Sequence, residues 1–253
     1  MKRIQLASMF AAALALGIVL SWNTHTAAQS SGFDAGQVGE IETIVRDYLL
    51  TNPEILREVM SALEEKETAE RAAKTASAIK KYNDEILSSP ANMVLGNPDG
   101  DVTLVEFFDY NCGYCKRAMP DLTALLETDK NLRVVLKEFP ILTEGSVESA
   151  KASIAAANQD RYLEFHTGLL GIRGTNDSAS AMQVAEVLGL DLEQFESDMD
   201  APETLKILSE TKTLATNIGI EGTPAYIIGT TLVPGAIGLE GLRQVIAETR
   251  ATN

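Results

Sequence analysis

The sequence is poor in cysteine, histidine, aromatic residues and positive charge. There are two cysteines, Cys112 and Cys115, in 253 residues. Two thiols exclude a disulfide-rich scaffold and a four-thiolate zinc or iron–sulfur site within one chain. Lys and Arg total 21 against 36 Asp and Glu, giving a formal charge of −15. A nucleic-acid binder must neutralise phosphates with a basic face, so that balance argues against nucleic acid as a partner. Long apolar runs are scarce too. Hydrophobic residues make up 45% and charged residues 23%, ordinary for a globular protein, which argues against general disorder and against a multi-span membrane protein.

One apolar run stands at the start. Lys2 and Arg3 precede the unbroken stretch Met9 to Leu20, too short to span a bilayer comfortably and suited to the hydrophobic core of a signal peptide. Thr26 and Ala28 occupy the −3 and −1 positions of a cut before Gln29. An uncleaved N-terminal anchor is the alternative. Residues 1–28 are therefore expected to be a signal peptide, and the protein is expected in a bacterial periplasm, where disulfides persist.

Residues 29–90 read as an N-terminal helical segment after a flexible Gly/Ser/Gln leader. Ile41, Ile44, Val45, Tyr48 and Leu49 recur at helical spacing. Asn52-Pro53 restarts a helix, with Asn52 as its expected cap, and Ile55, Leu56, Val59, Met60 and Leu63 form a second apolar stripe. From Glu64 to Ala78 the chain is charged and Ala-rich, with Glu67–Arg71 and Glu70–Lys74 at i,i+4 spacing, which predicts an exposed rod. Such short stripes cannot bury themselves. They must pack on the rest of the chain or on copies of themselves, the latter implying a homo-oligomer through residues 40–80.

Residues 91–253 carry the chemistry. Met93 to Leu95 is a short apolar run, and a turn-rich Gly96 to Gly100 separates it from the β-prone Val102 to Phe108. Asp109-Tyr110-Asn111 leads into Cys112-Gly113-Tyr114-Cys115, and Lys116 to Leu126 is helical in pattern. A Cys-x-x-Cys is thus placed where a buried strand hands over to a helix N-terminus. Two intervening residues bring the sulfurs within disulfide reach. The earlier thiol faces unpaired backbone N–H groups and the positive end of the helix dipole, which favour thiolate. Cys112 is expected to be the attacking thiolate and Cys115 the buried resolving thiol. A depression of about two pKa units is worth ~2.7 kcal/mol and raises the reduction potential by roughly 60 mV. Gly-Tyr offers no positive side chain, so the thiolate is expected to be less stabilised than in a Cys-Pro-His-Cys site. A structural disulfide, half of an intersubunit metal site and two inert buried thiols are the competing readings.

The segment Val105 to Lys116 resembles the active-site segment of the DsbA branch of the thioredoxin superfamily. Gly222-Thr223-Pro224-Ala225, before the β-like Tyr226 to Ile228, resembles that superfamily's cis-proline loop. Val45 to Leu56 is similar to the leading segment of ScsC-like and Com1-like exported proteins. The resemblance implies an α/β, thioredoxin-like fold with a helical insertion, here about residues 142–217, preceded by the N-terminal helical segment. It implies a cis Pro224 abutting the sulfurs, with Thr223 presenting its backbone to an extended substrate and its hydroxyl to the sulfurs. Pro120 resembles the family's helix-kinking proline. Glu106, six positions before Cys112, falls where the superfamily keeps a buried acid that relays the Cys115 proton. Alternation supports its burial, since it shares a face with Leu104 and Phe108. Lys137, on the next predicted strand, is expected as its charge partner. His166 reads as a packing residue.

The function implied is exported thiol–disulfide exchange on protein substrates, with no diffusible cofactor and no metal. The expected partners are cysteine-containing exported proteins and a membrane redox partner. The resemblance favours an isomerase or reductase, kept reduced by a reductant of the DsbD or ScsB type. A dithiol oxidase, re-oxidised by a quinone-linked DsbB-type protein, is the alternative. A different class, an envelope copper or zinc binder using paired thiolates of two subunits, also stands.

Overall fold

The structure, a computed structural model, describes residues 32–90 and 93–252. The signal-peptide expectation falls outside the described residues. The chain divides into two units, one up to Glu65 and one from Lys66 onward.

In the first unit, helix α1 (Ala35–Thr51) starts at Asp34, whose carboxylate accepts from the Gln37 N–H while the Gln37 side chain reaches back to the Asp34 N–H. It stops at Asn52, whose backbone N–H and side-chain amide both donate to the Tyr48 carbonyl. Asn52 was expected to cap the following helix. It instead closes the preceding one, because its amide can satisfy a C-terminal carbonyl that would otherwise be unpaired. Helix α2 (Glu54–Lys81) then begins. Ile41, Ile44, Val45 and Tyr48 on α1, and Leu56, Val59, Met60 and Leu63 on α2, are exposed.

In the second unit, α2 presents the charged rod. Glu67 pairs with Arg71 as expected, whereas Glu70 faces Lys66, both at 4.0 Å and well solvated, so neither contributes much. The end of α2 and the short α3 (Asn83–Leu87) behave differently: Ile79 and Ile86 are fully buried. Each burial is worth about 1.5–3 kcal/mol. The segment is further held by β3 (Leu132–Glu138), whose Arg133 donates to the Leu87 carbonyl at 3.0 Å and whose Lys137 donates to the Glu85 and Ser88 carbonyls. Cations on the last carbonyls of a helix suit its negative end.

The sheet is mixed, ordered β1-β3-β2-β4-β5, with β1 (Val94–Gly96), β2 (Val102–Phe108), β4 (Ala225–Ile228) and β5 (Thr231–Pro234). Strands β2 and β3 are parallel; the other pairings are antiparallel. Both faces of β2 are buried. Val102, Leu104 and Phe108 join Leu132, Val134, Leu136, Tyr226 and Ile228 on one face, covered by α4 (Gly113–Thr128), the insertion helices and α10 (Gly238–Thr252). Val105, Phe107, Val135, Ala225 and Ile227 line the other, against Ile79, Ile86 and the Leu214 to Ile218 stretch of α9 (Pro202–Ile218). This is the α/β, thioredoxin-like arrangement expected.

The insertion between β3 and β4 comprises α5 (Glu144–Ala157), α6 (Tyr162–Gly171), α7 (Ser178–Val187), α8 (Leu192–Met199) and α9. Thr143 and Asp177 cap α5 and α7 through reciprocal bonds with Ser146 and Ser180. Gly219, at φ 87°, ends α9 in the left-handed region where glycine carries no steric penalty. It delivers the chain to β4.

Candidate active site

Helix α4 opens at Cys112, which has extended backbone angles and a side chain in the N-cap position. Its sulfur accepts from the Cys115 N–H at 3.4 Å and, as a thiol, donates to the Thr223 carbonyl at 3.1 Å. The Thr223–Pro224 bond is cis. The structure thus brings together Cys112, Cys115, Thr223 and Pro224 from two segments more than a hundred residues apart. Both thiols are free in the structure. Only 6% of Cys112 is exposed, while Tyr114 beside it is 61% exposed, its ring 4.4 Å from the Arg117 guanidinium. Pro120 lies inside α4, as expected.

The two sulfurs are driven apart electrically. A hydrogen bond from the Cys115 thiol lowers the Cys112 pKa most; the Thr223 hydroxyl and the Cys115 and Tyr114 backbone N–H groups add to it against the cost of burial, leaving the group at about 5. That depression exceeds the two units expected from the sequence. The donors responsible lie outside the Gly-Tyr spacer's side chains: on Cys115, on Thr223 and on the backbone. The buried Thr223 hydroxyl has no hydrogen-bond partner among the described residues, which leaves it free to turn toward the Cys112 thiolate. Cys115 moves the other way: its bond to Cys112, burial and the charges of Glu106 and Cys112 push its thiol strongly upward.

Glu106 lies on the face of β2 that carries the sulfurs and is 5% exposed. Burial raises its carboxyl to about 8; a hydrogen bond from Tyr226 opposes the rise, and the charge on Cys112 adds to it. Lys137 is not its partner. The β2–β3 register sets Glu106 against Leu136 and Phe107 against Lys137, so the lysine points to the opposite face. There it holds the end of α3, and burial lowers its pKa to about 8. The sequence offered one nearby cation; the register that places it away from Glu106 was not readable.

The turn before Cys112 is tied down by residues that sequence reasoning missed. Asp109 accepts from the N–H groups of Asn111, Ile141 and Leu142 at 2.7–3.0 Å. The Asn111 amide donates to Thr143, Ser146 and the Asn176 carbonyl, and Asn176 donates to the Tyr110 and Leu169 carbonyls. Lys116, one residue past the pair, donates to the Ile172 and Gly174 carbonyls at 2.8 and 2.7 Å. Gly145 lets the start of α5 approach the Asn176 carbonyl, where any Cβ would collide. Behind the turn, Tyr110 and Tyr162 donate to Glu138 at 3.1 and 3.0 Å, and Tyr110 also bonds Ser153 and His166. Burial pushes Glu138 up to about 8 and His166 down to about 3. His166 stacks on Tyr162, the packing role expected of it. The signal for these ties was weak: isolated polar residues in helical or turn segments.

Residues 103–247 match the DSBA-like thioredoxin domain. The chain belongs to the DSBA-like thioredoxin family. Residues 37–70 of this DSBA-like chain match a second domain, described as the copper resistance protein ScsC N-terminal domain. Among solved structures, a thioredoxin-like oxidoreductase from Silicibacter pomeroyi DSS-3 is 42% identical, with 66% of this chain and 97% of that one covered and a TM-score of 0.64. ScsC from Proteus mirabilis is 30% identical, with coverage of 87% and 100% and a TM-score of 0.65. The thiol-disulfide exchange protein alpha-DsbA2 from Wolbachia pipientis is also 30% identical, covering 70% and 97%, TM-score 0.65. The chain is also 28% identical over 160 residues to a Na(+)/H(+) antiporter NhaA of Salinispora arenicola, spanning 62% of this chain and about a quarter of the length of that relative. Among the described residues, no helix is long and apolar enough to cross a membrane. Nor is any group of three or more His, Cys, Asp or Glu side chains placed to hold a metal.

Proposed function

We propose that this chain is an exported, periplasmic thiol–disulfide oxidoreductase that exchanges disulfides with cysteine-containing proteins through Cys112 and Cys115, acting as an isomerase or reductase. The observation that carries this reading is the placement of the Cys112 sulfur: at the N-cap of α4, 3.1 Å from the Thr223 carbonyl and bonded by the Cys115 N–H, with its own pKa lowered to about 5 and that of Cys115 pushed strongly upward. The Cys112 thiolate attacks a substrate disulfide, one substrate sulfur leaves, and a mixed disulfide forms. Charge on Cys112 is thereby removed, which relieves one of the causes raising Glu106 and frees its carboxylate to take the Cys115 proton. Cys115 then displaces the second substrate thiol, and an enzyme disulfide results. A substrate strand along Thr223–Pro224 would present its sulfur to Cys112.

The isomerase or reductase direction is supported by the match of residues 37–70 to the ScsC N-terminal domain and by the exposed apolar side chains of α1 and α2. Self-association through residues 40–80 would cover them and set several sulfurs around one misfolded chain. A membrane reductant of the DsbD or ScsB type would then keep the pair reduced. Export is supported by the leader-like start of the sequence and by a 28% identical solved relative described as a periplasmic thioredoxin-like protein from Salmonella enterica serovar Typhimurium. The oxidase direction, with a DsbB-type partner, is the second reading: the N-cap placement of Cys112 and its lowered pKa favour the reduced form of the pair.

A Cys115→Ser protein tests the central reading. It should accumulate substrate proteins as mixed disulfides on Cys112; a copper or zinc site built from paired thiolates would lose metal and trap nothing. The redox state of the pair in cells then separates direction: mostly reduced for an isomerase or reductase, mostly oxidised for an oxidase.

A further inference from the structure

Glu106 needs a fixed position to take a proton from Cys115, and its neighbours show what fixes it. In the β2–β4 ladder Glu106 is paired with Tyr226, while Leu104 is paired with Ile228. Directly opposed residues on neighbouring strands have adjacent side chains on one face. That face is the one carrying both cysteines, and Tyr226 is only 1% exposed. On the other flank β3 offers Leu136, which has no polar group. Helix α10 contributes Leu242 and Ile246 to the same cluster. The titratable or charged groups whose charges reach this region are Cys112 and Cys115, Tyr226 across the ladder from Glu106, and Asp121, which acts on Tyr226. Strand β4 starts immediately after Pro224, so the backbone that sets Thr223 against Cys112 also sets Tyr226 against Glu106.

We infer that Tyr226 is a positioning residue for the resolving step: its buried hydroxyl, set across the ladder from Glu106, holds that carboxyl beneath the sulfurs as the acceptor of the Cys115 proton. This rests on the proposed exchange reaction and on Glu106 as proton carrier. In the step, the Cys115 proton passes to the Glu106 carboxylate. The Cys115 sulfur forms a bond to the Cys112 sulfur, and the bond from Cys112 to the substrate sulfur breaks. The substrate sulfur leaves with the electron pair and takes a proton from water. The enzyme dithiol is oxidised to a disulfide and the substrate disulfide is reduced. A hydroxyl donated to the ionised carboxyl stabilises it; removing that donor moves Glu106 ionisation to higher pH.

The test uses 5,5′-dithiobis(2-nitrobenzoate) with the reduced full-length protein in a stopped-flow instrument. The first nitrothiobenzoate released reports Cys112 attack, and the second reports resolution by Cys115. Tyr226→Phe keeps the ring and loses the hydroxyl. Its second phase should have a pH profile displaced upward by about one unit, a roughly tenfold slower release on the acid limb. In a Glu106→Gln background the same substitution should change nothing further. A Tyr226→Phe profile superimposed on the parent, with Glu106→Gln displaced, overturns the inference and leaves the relay standing. An equal displacement with and without Glu106 also overturns it, because the hydroxyl then acts elsewhere. A Glu106→Gln profile identical to the parent removes the relay itself.

Discussion

Replacing Cys115 with alanine removes the group that depresses the Cys112 pKa most, while leaving the helix N-terminus, the Thr223 hydroxyl and the backbone donors in place. At about 5, the parent Cys112 is almost wholly thiolate at pH 7. A hydrogen bond to a charged group is worth ~1.5–3 kcal/mol, or about one to two pKa units. The alanine variant should therefore titrate at roughly 6–7, leaving about half to nine-tenths of it as thiolate at pH 7. Serine in the same place retains a donor and should keep Cys112 within about half a unit of the parent. The assay is thiolate absorbance near 240 nm followed from pH 3 to 9 on reduced protein, with the doubly substituted protein as blank. Equal midpoints for parent and alanine variant would refute the reasoning, since the depression would then come from the helix end and Thr223 alone. An ordinary free-thiol midpoint in the parent would refute the reading of the site altogether.

The buried carboxyls give stability a definite slope. Glu106 and Glu138 ionise near 4.5 in an unfolded chain and near 8 in the fold, so the native state holds more protons and stability falls as pH rises from about 4.5 to about 8. Glu138→Gln should flatten that fall in urea midpoints measured across the window. Cys112 has the opposite sign: its depressed pKa favours the folded, reduced protein at high pH, an advantage lost as pH falls from about 9 toward 5, which the oxidised protein should not show. Ile86→Ala should cost about 2–5 kcal/mol in denaturant unfolding, because it empties a fully buried site between α3 and the sheet. Deletion through Glu65 should abolish rescue of scrambled ribonuclease while sparing dithiobis-nitrobenzoate reduction. Equal rescue by truncated and full-length protein would remove the role given to the N-terminal stripes.

Much of this was legible because it is local. A β-prone run ending in Asp-Tyr-Asn-Cys fixes a strand and a helix start within a few residues, and chemistry follows from that junction. Alternation also placed Glu106 inside. Neither its neighbour nor the clamp on α3 could be read, since both depend on strand register. Whether residue 106 meets 136 or 137 reverses the face on which a lysine emerges, and no local pattern states it. Asn52 failed for a related reason: an amide can cap the helix before it or the helix after it, and only the packed chain decides. The Asn111–Asn176 and Lys116 ties join turns sixty residues apart, with no periodicity to announce them.

Those ties make the stillness of the reactive sulfur a property borrowed from the insertion. Lys116 and Asn111, on either side of the cysteine pair, are both stitched to the backbone between Ile172 and Asn176. A single protease cut in that short connection, or a substitution that loosens it, would blur the thiol's aim while the sheet beneath stayed intact. Reactivity and global stability would then decay separately, and a melting curve alone would miss the damage.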